Sequence, residues 1–247
     1  MRILGMDTSC KPTGIALFSC GEISEDGKFS NSEINNYLNS GKMEAILVVE
    51  NDRSRAESIL PMIEEMLSEA GISFSEIDGI AVGIGPGSFT GIRIGVTVVK
   101  ALAMALNKPI VAVNTLEALS FGVFSDKKKI PLIDARGERV YYGVYEGVNN
   151  KNIIPPALLT IDELLEEFST KGEYVFVGDC VNLYKDRILE NKNFEITPAC
   201  LNSCISKNAC VIGKEKYERG DISDCFNLSP EYVRLSQAQR DLENKGK

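Results

Sequence analysis

Apolar residues along the first half of the chain form short runs that alternate with polar turns. Runs at 2–7, 13–19 and 43–50 predict three strands, and runs at 77–83 and 109–113 predict two more. Between them lie two longer stretches in which apolar residues recur at three- and four-residue spacing, and these predict helices. The order of the elements predicts a mixed β-sheet with helices packed on it.

The two predicted helices differ in how they can be buried. The helix within residues 55–70 carries one wide apolar stripe, with Pro61 in its first turn and Gly71 as its stop. The helix at about 90–106 is apolar on nearly every side and rich in Gly and Ala. Such a helix needs its own sheet on one face and a second covering, from within the chain or from a partner, on the other. We expect a helical docking surface for a partner.

A second unit begins near Asn114 with a short predicted helix followed by two predicted strands, so we expect one subdomain over 1–113 and a second over 114–247. The last part of the second is expected to pack back on the first. The polar stretch 21–43 is predicted to be a surface loop whose role stays open, and the last dozen residues are predicted to fray. Predicted helices lie at 115–121, 161–168 and 199–220, and predicted strands at 129–134, 139–145 and 174–178.

Composition removes several classes of reaction. The 247 residues contain no histidine, which excludes His-based catalytic triads, HExxH metal sites and Cys/His zinc fingers. Lys and Arg number 27 against 35 Asp and Glu, a net charge of −8, so a broad basic surface for nucleic acid is not expected. An acidic subunit can still serve RNA through a basic partner, and any RNA contact is expected to be indirect.

The seven cysteines include no CxxC pair. Cys200, Cys204 and Cys210 offer only a loose C-x3-C-x5-C spacing, so the alternatives are a zinc site there or scattered reduced thiols, and we expect the thiols.

The first residues lack the apolar core and small-residue cleavage site of a secretory signal, and the most apolar run, 92–106, is interrupted by Arg93 and Lys100. We therefore expect a cytoplasmic protein with no membrane span.

A glycine-rich loop, 83–91, joins a predicted strand to the second helix. Glycines let a backbone approach a ligand, and a helix N-terminus presents free N–H groups to an anion, but the spacing fits neither GxxxxGK[ST] nor GxGxxG. The alternative is a tight turn with Ser88 or Thr90 as the helix cap.

Asp7, at a strand end, also has two interpretations: it either orients a magnesium-bound water or accepts local hydrogen bonds. The candidate nucleotide-binding residues are Asp7, Thr8, Ser9, Gly85, Gly87 and Ser88.

A second polar cluster, Asp134, Arg136 and Glu138, lies on the turn between two later strands. It forms either a polar site or a solvated turn.

Six segments together resemble the bacterial TsaB family. The resemblance spans nearly the whole chain, and GPGSFTGIRIG is its most specific block. The segments are ILGMDTS (3–9), SILPMI (58–63), AVGIGPGSFTGIRIG (81–95), NTLEAL (114–119), IDAR (133–136) and PEYVR (230–234).

The resemblance implies an α/β fold of the actin-like ATPase (ASKHA) superfamily, with two ribonuclease-H-like subdomains whose mixed sheets are flanked by helices. It implies a non-catalytic subunit, without a cofactor, that binds and activates TsaD. TsaD transfers threonylcarbamoyl to the adenosine 3′ to the anticodon of tRNA, and TsaE, an ATPase, joins the larger complex. A homodimer is the expected alternative when TsaD is scarce. The expected interface residues are Ile59, Met62, Ile63, Met66, Gly91, Gly95, Val98 and Leu102.

Two features depart from the family pattern. Arg53-Ser-Arg-Ala-Glu57 stands where the family usually shows Arg-x-His-Ser-Glu, and the polar stretch 21–43 is longer than expected. The main alternative function is an autonomous ATPase or phosphotransferase of the same superfamily, acting through Asp7 and the loop 85–91. A metal-dependent peptidase fails because the catalytic paralogue holds its metal through histidines, and this chain has none.

Overall fold

The computed structural model describes residues 1–20, 41–49, 55–203 and 205–233. These residues form two five-stranded mixed sheets. The first contains β1 (Arg2–Asp7), β2 (Thr13–Cys20), β3 (Gly41–Val49), β4 (Gly79–Gly85) and β5 (Ile110–Asn114), in the order β3-β2-β1-β4-β5. The second contains β6 (Lys128–Asp134), β7 (Arg139–Glu146), β8 (Lys151–Thr160), β9 (Tyr174–Gly178) and β10 (Phe194–Ile196), in the order β10-β9-β6-β7-β8.

The two sheets share one topology. In each sheet the first strand pairs antiparallel with the second and parallel with the fourth, so β1 and β6 occupy equivalent central positions. The chain therefore builds the same half twice, and the predicted mixed sheets flanked by helices are confirmed.

Helices cover both faces of the first sheet. The α-helices of the described residues are α1 (Arg55–Ala70), α2 (Phe89–Leu106), α3 (Thr115–Phe121), α4 (Ile161–Phe168), α5 (Lys185–Leu189) and α6 (Ile205–Glu218). Helices α1 and α2 share one apolar cluster with the side chains of Leu4 and Ile15 on one face of that sheet. The opposite face packs against α6, whose Ala209 and Cys210 share a second cluster with Ile3 and Ala16.

Helix α6 lies between the two sheets. A Cβ on its Gly213 would come 2.5 Å from the Cβ of Ala81 in β4, so small residues allow the helix to lie close to the sheet. Ile133 and Val177 of the second sheet belong to the same apolar cluster. The late part of the chain thus packs against the first sheet, while the boundary at 113/114 stays a prediction.

Helix α2 is long and apolar enough, by composition alone, to cross a membrane. In the structure Ile92, Val96 and Val99 instead fill the core of the first half. Six of its 18 residues are buried and six are exposed, and the exposed residues from Thr97 onward are mostly apolar, so this part of α2 leaves an open apolar surface.

Several elements differ from the sequence prediction. The predicted helix 199–220 is a 3₁₀ turn at Ala199–Ser203 followed by α6. Strand β8 was not predicted because it contains Pro155 and Pro156, which an edge strand tolerates. Strand β10 and helix α5, of three and five residues, are too short for periodicity to reveal. Residues 21–40 of the predicted loop lie outside the described residues, and residues 41–43 belong to β3. The last dozen residues, which are predicted to fray, also lie outside the described residues.

Candidate functional site

Asp7 ends the central strand β1, and the turn after it meets the second sheet. The buried Asp7 carboxylate accepts a hydrogen bond from the Ser9 hydroxyl at 2.7 Å. The next residue, Cys10, lies against Asp179, which directly follows β9. We call this place, defined by Asp7, Cys10, Asp134, Asp179 and Cys180, the junction of the two halves.

Burial sets the protonation of the junction. Burial raises the pKa of Asp179. Hydrogen bonds that its carboxylate accepts oppose that rise, and they come from the Asp134 amide, at 3.0 Å, and from the thiols of Cys10 and Cys180. Burial also raises the pKa of Cys10 and Cys180 well above the usual range, and the charge of Asp179 adds to the effect. Protonated thiols are poor nucleophiles and poor metal ligands.

The glycine-rich loop packs directly on the turn after Asp7. A Cβ on Gly87 would lie 2.5 Å from the Ser9 carbonyl oxygen, and the Ser88 amide donates to that oxygen at 2.7 Å. The Ser88 hydroxyl caps α2 by accepting a hydrogen bond from the Gly91 amide at 3.2 Å. The capped-turn alternative for this loop is therefore confirmed.

The glycines of α2 also serve contacts within the chain. The Thr8 hydroxyl donates to the Gly91 carbonyl at 2.7 Å, and Gly95, one turn later, leaves the space that the Thr8 side chain fills. Both glycines are buried. The structure therefore corrects the prediction that Gly91 and Gly95 are interface residues, because their small size accommodates the turn after β1.

The apolar stripe of α1 also faces inward. Ile59, Met62, Ile63 and Met66 are at most 8% exposed and pack in the core of the first sheet. The prediction that these side chains point toward a partner is wrong. The spacing correctly indicates one apolar stripe, but a single stripe is buried on the helix's own sheet before any partner is needed.

The outward faces of α1 and α2 form a surface of a different character. On α2 the exposed positions include the charged Arg93 in the second turn, and from Thr97 onward they are neutral and mostly small. Val98 and Leu102 are half-buried on the flank of the helix. On α1 the exposed positions are mostly polar and acidic. The exposed residues of α2 from Thr97 onward are Thr97, Ala101, Met104 and Ala105, and those of α1 are Glu57, Leu60, Pro61, Glu64, Glu65, Ser68 and Glu69.

The C-terminal segment, residues 221–233, crosses one flank of α2. Lys100 donates to the Leu228 carbonyl at 2.9 Å, and Arg93 donates to the Tyr232 hydroxyl at 2.9 Å. The Tyr232 ring stacks on Phe89 with centroids 4.6 Å apart. These contacts tie the segment to the same helix that carries the open apolar surface.

Glu231 connects the C-terminal segment to two further elements. Its amide donates to the Ile84 carbonyl at 2.8 Å, and its carboxylate accepts from the Asn114 side chain at 2.8 Å. A Cβ on Gly85 would lie 2.6 Å from the Glu231 carbonyl oxygen, and Gly85 has a φ of +117°, which favours glycine. The segment thus contacts the glycine-rich loop at Ile84 and Gly85, while the turn after Asp7 contacts it at Gly87 and Ser88.

The other polar candidates do not form one site. Asp134 accepts from the Arg136 amide at 2.8 Å, whereas Glu138 pairs with Arg187 on α5 at 3.1 Å. Among the described residues, no group of three His, Cys, Asp or Glu side chains is placed to hold a metal ion.

The loose cysteine spacing does not converge on a zinc site in the described residues. The Cys210 thiol is buried against the Ala16 carbonyl at 3.4 Å, Cys200 is exposed, and Cys204 lies outside the described residues.

Sequence reasoning missed Asp179 and the role of Glu231. Asp179 follows Gly178 at the end of a strand parallel to β6, and an acidic residue after a predicted parallel strand is a usable signal. Glu231 lies in a segment that the family resemblance had already marked, but pairing with Asn114 across more than a hundred residues has no local signature.

Comparison with known proteins gives consistent results. Residues 48–241 match a family model described as TsaD, tRNA N6-adenosine threonylcarbamoyltransferase. The chain is 34% identical over 246 residues to the tRNA threonylcarbamoyladenosine biosynthesis protein TsaB of Bacillus subtilis (strain 168), covering 97% of this chain and 96% of that protein. It is 28% identical over 189 residues to the TsaB protein of Escherichia coli (strain K12), covering 72% and 71%.

A solved structure from Pseudomonas aeruginosa also matches. It is described as an uncharacterized protein with similarity to peptidase YEAZ. It superposes with a TM-score of 0.71 at 25% identity, covering 94% of this chain and 99% of that chain.

The chain has an α/β fold of the actin-like, or ASKHA, type, as the resemblance implied. Two sheets of the same topology with their flanking helices, together with these similarities, define it. With 34% identity along nearly its whole length, the chain belongs to the TsaB family.

Proposed function

We propose that the chain is a non-catalytic subunit in the synthesis of N6-threonylcarbamoyladenosine (t6A) in tRNA, and that it binds and activates TsaD in the cytoplasm. The end-to-end similarity to the TsaB protein of Bacillus subtilis, a t6A biosynthesis protein by name, carries the proposal. TsaE joins the complex, and tRNA contacts this chain only indirectly, which agrees with the net charge of −8.

The contacts and the protonation of the residues at the junction support a non-catalytic role. The candidate nucleotide-binding residues Thr8, Ser9 and Ser88 contact other parts of the same chain. The two junction thiols are protonated, and no histidine is available as a base or metal ligand. We therefore propose that the junction holds the fold together and that the reaction takes place on TsaD.

The binding surface for TsaD is proposed to be the outward side of the α1–α2 pair. Helix α2 offers neutral small residues, Ala101 and Ala105, that let another helix approach closely, with Val98 and Leu102 on the flank. Burial of this apolar area supplies affinity at ~25 cal/mol per Å² before the costs of association. A second copy of this chain is the alternative occupant of the same surface when TsaD is scarce, and we propose that it binds more weakly than TsaD.

Reconstitution tests the proposal. TsaD, TsaE, tRNA and the enzyme that makes threonylcarbamoyl-adenylate are incubated with and without this chain, and t6A is measured by mass spectrometry of digested tRNA. Modification is expected only when the chain and TsaD are both present. Modification that proceeds equally without this chain would contradict the proposal.

The alternative of an autonomous ATPase is decided by a second assay. Purified chain is titrated with ATP and magnesium, and phosphate release is followed. We expect no steady turnover. Turnover by the parent that is lost in Asp7→Ala would establish the alternative.

A further inference from the structure

Among the described side chains of α1, those with a charge on the outward face are all acidic. Glu57, Glu64, Glu65 and Glu69 are exposed, and none forms a hydrogen bond or ion pair with the other described residues. From position 56 to position 70 the helix contains no Lys or Arg. The apolar stripe of α1 faces its own sheet, and four of the seven exposed residues of α1 are glutamates, with Leu60, Pro61 and Ser68 as the others, so charge is the main property that this helix presents outward.

This acidic face lies beside a neutral one. Helices α1 and α2 pack side by side on the first sheet. The outward line of α2 begins at Arg93, which donates to the Tyr232 hydroxyl, and then runs through Thr97, Ala101 and Ala105 without a further charge. Any protein that covers α2 with a pair of helices also comes near the carboxylates of α1. Leaving those carboxylates dehydrated and unpaired would disfavour the complex.

We infer that the acidic face of α1 selects the partner: it favours a subunit whose docking helices carry Lys or Arg, and it disfavours a second copy of this chain. The inference rests on the proposed function, since it describes the chemistry of the partner that covers α2.

Symmetry explains why a second copy is disfavoured. A two-fold pair brings the same surface from each copy, so the carboxylates of one α1 meet those of the other across a shared patch. The net charge of −8 on each copy adds a long-range repulsion of the same sign. A basic partner replaces both repulsions with attraction, because its cations pair with the carboxylates of α1 and also speed the encounter of the two proteins.

The experiment measures both associations in the same variants. Glu64→Gln/Glu65→Gln removes two charges from the middle of α1 without changing side-chain shape. The matched control, Glu166→Gln/Glu190→Gln, removes two exposed charges from the second half, on α4 and just after α5. Self-association is measured by sedimentation equilibrium and TsaD binding by calorimetry, each at low salt and at about 1 M salt, where the Debye length is ~3 Å.

Opposite shifts are expected. At low salt the α1 variant should bind TsaD on the order of tenfold more weakly and self-associate on the order of tenfold more tightly, and both differences should nearly vanish at high salt. The control should match the parent in both assays. Glu64→Lys/Glu65→Lys should enlarge both shifts.

Each other outcome has a defined meaning. If either association stays unchanged, or if both move in the same direction, the inference is overturned while the proposed function stands. If the parent chain itself does not bind TsaD, the proposed function is overturned and the inference falls with it.

Discussion

The side chain of Thr8 fills the space that Gly95 leaves open on α2, and its hydroxyl donates to the Gly91 carbonyl one turn earlier at 2.7 Å. The turn that follows the central strand is therefore locked onto the helix that carries the open apolar surface. This contact links the junction of the two halves to the proposed docking surface.

Gly95→Ala should destabilise the fold by about 1–3 kcal/mol, because the new methyl group would overlap the Thr8 hydroxyl and push α2 away from the turn. Urea denaturation followed by circular dichroism measures the free energy of unfolding. Thr97→Ala, on the exposed side of the same helix, is the control and should stay within about 0.5 kcal/mol of the parent. A Gly95→Ala variant as stable as the parent would mean that the close contact is absent.

Met66 lies on the inward side of the helix pair and Met104 on the outward side, so variants of the two distinguish these sides. Met66→Ala should cost about 2–5 kcal/mol of stability because Met66 is buried in the core, whereas Met104, at 61% exposed, should tolerate Ala within about 0.5 kcal/mol. Thermal melts of both variants test this difference. Equal losses of stability would contradict the inward placement of the α1 stripe.

Lys129 makes the stability of the protein depend on pH. The residue is only 2% exposed, and its amine donates to the Gly147 carbonyl at 3.2 Å. Burial lowers the pKa of Lys129 from 10.5 to about 8. Because the folded-state pKa lies below the unfolded value, the unfolded chain holds the extra proton between about pH 8 and 10.5. The contribution of Lys129 to stability therefore rises with pH across that window.

Lys129→Met should accordingly be more stable than the parent at pH 7, by up to ~3 kcal/mol, since the variant avoids burying a charge. The advantage should shrink as the pH rises from 8 to 10.5. Paired urea titrations of parent and variant at each pH cancel the contributions of other groups. An advantage that is constant with pH would show that Lys129 does not titrate in this range.

Asn114 and Glu231 should show energetic coupling. We expect Asn114→Ala and Glu231→Ala each to cost about 1–2 kcal/mol, and the double variant to cost less than the sum by about 1 kcal/mol, because either change alone breaks the same hydrogen bond. The double-mutant cycle is measured by chemical denaturation. Strictly additive losses would show that the C-terminal segment is not held by this pair.

The sequence predicts the strands of the first half well because each is a short apolar run bounded by turn residues. It also predicts α2 and its cap, since Ser88 precedes a long apolar stretch. It does not predict β8, where Pro155 and Pro156 occupy an edge strand, or the break before α6.

The candidate surface is harder to predict than the fold. Periodicity identifies the stripe containing Ile63 and Met66, but an inward and an outward stripe have the same pattern in sequence, and only packing on β1 and β2 decides the direction. Likewise a glycine such as Gly95 can serve a partner or the chain's own turn, and the long-range contact with Thr8 settles which.

The central claim is that TsaD covers the outward side of α2, and Ala101 lies on that side. Calorimetric titration of TsaD into the Ala101→Arg variant tests it most directly, with Asn193→Arg, an exposed position in the second half, as the matched control. A large cation in the neutral line of α2 should weaken TsaD binding by at least about 100-fold, ~3 kcal/mol, while the melting temperature stays close to that of the parent and the control binds normally. A folded Ala101→Arg variant that binds TsaD as tightly as the parent would contradict the claim.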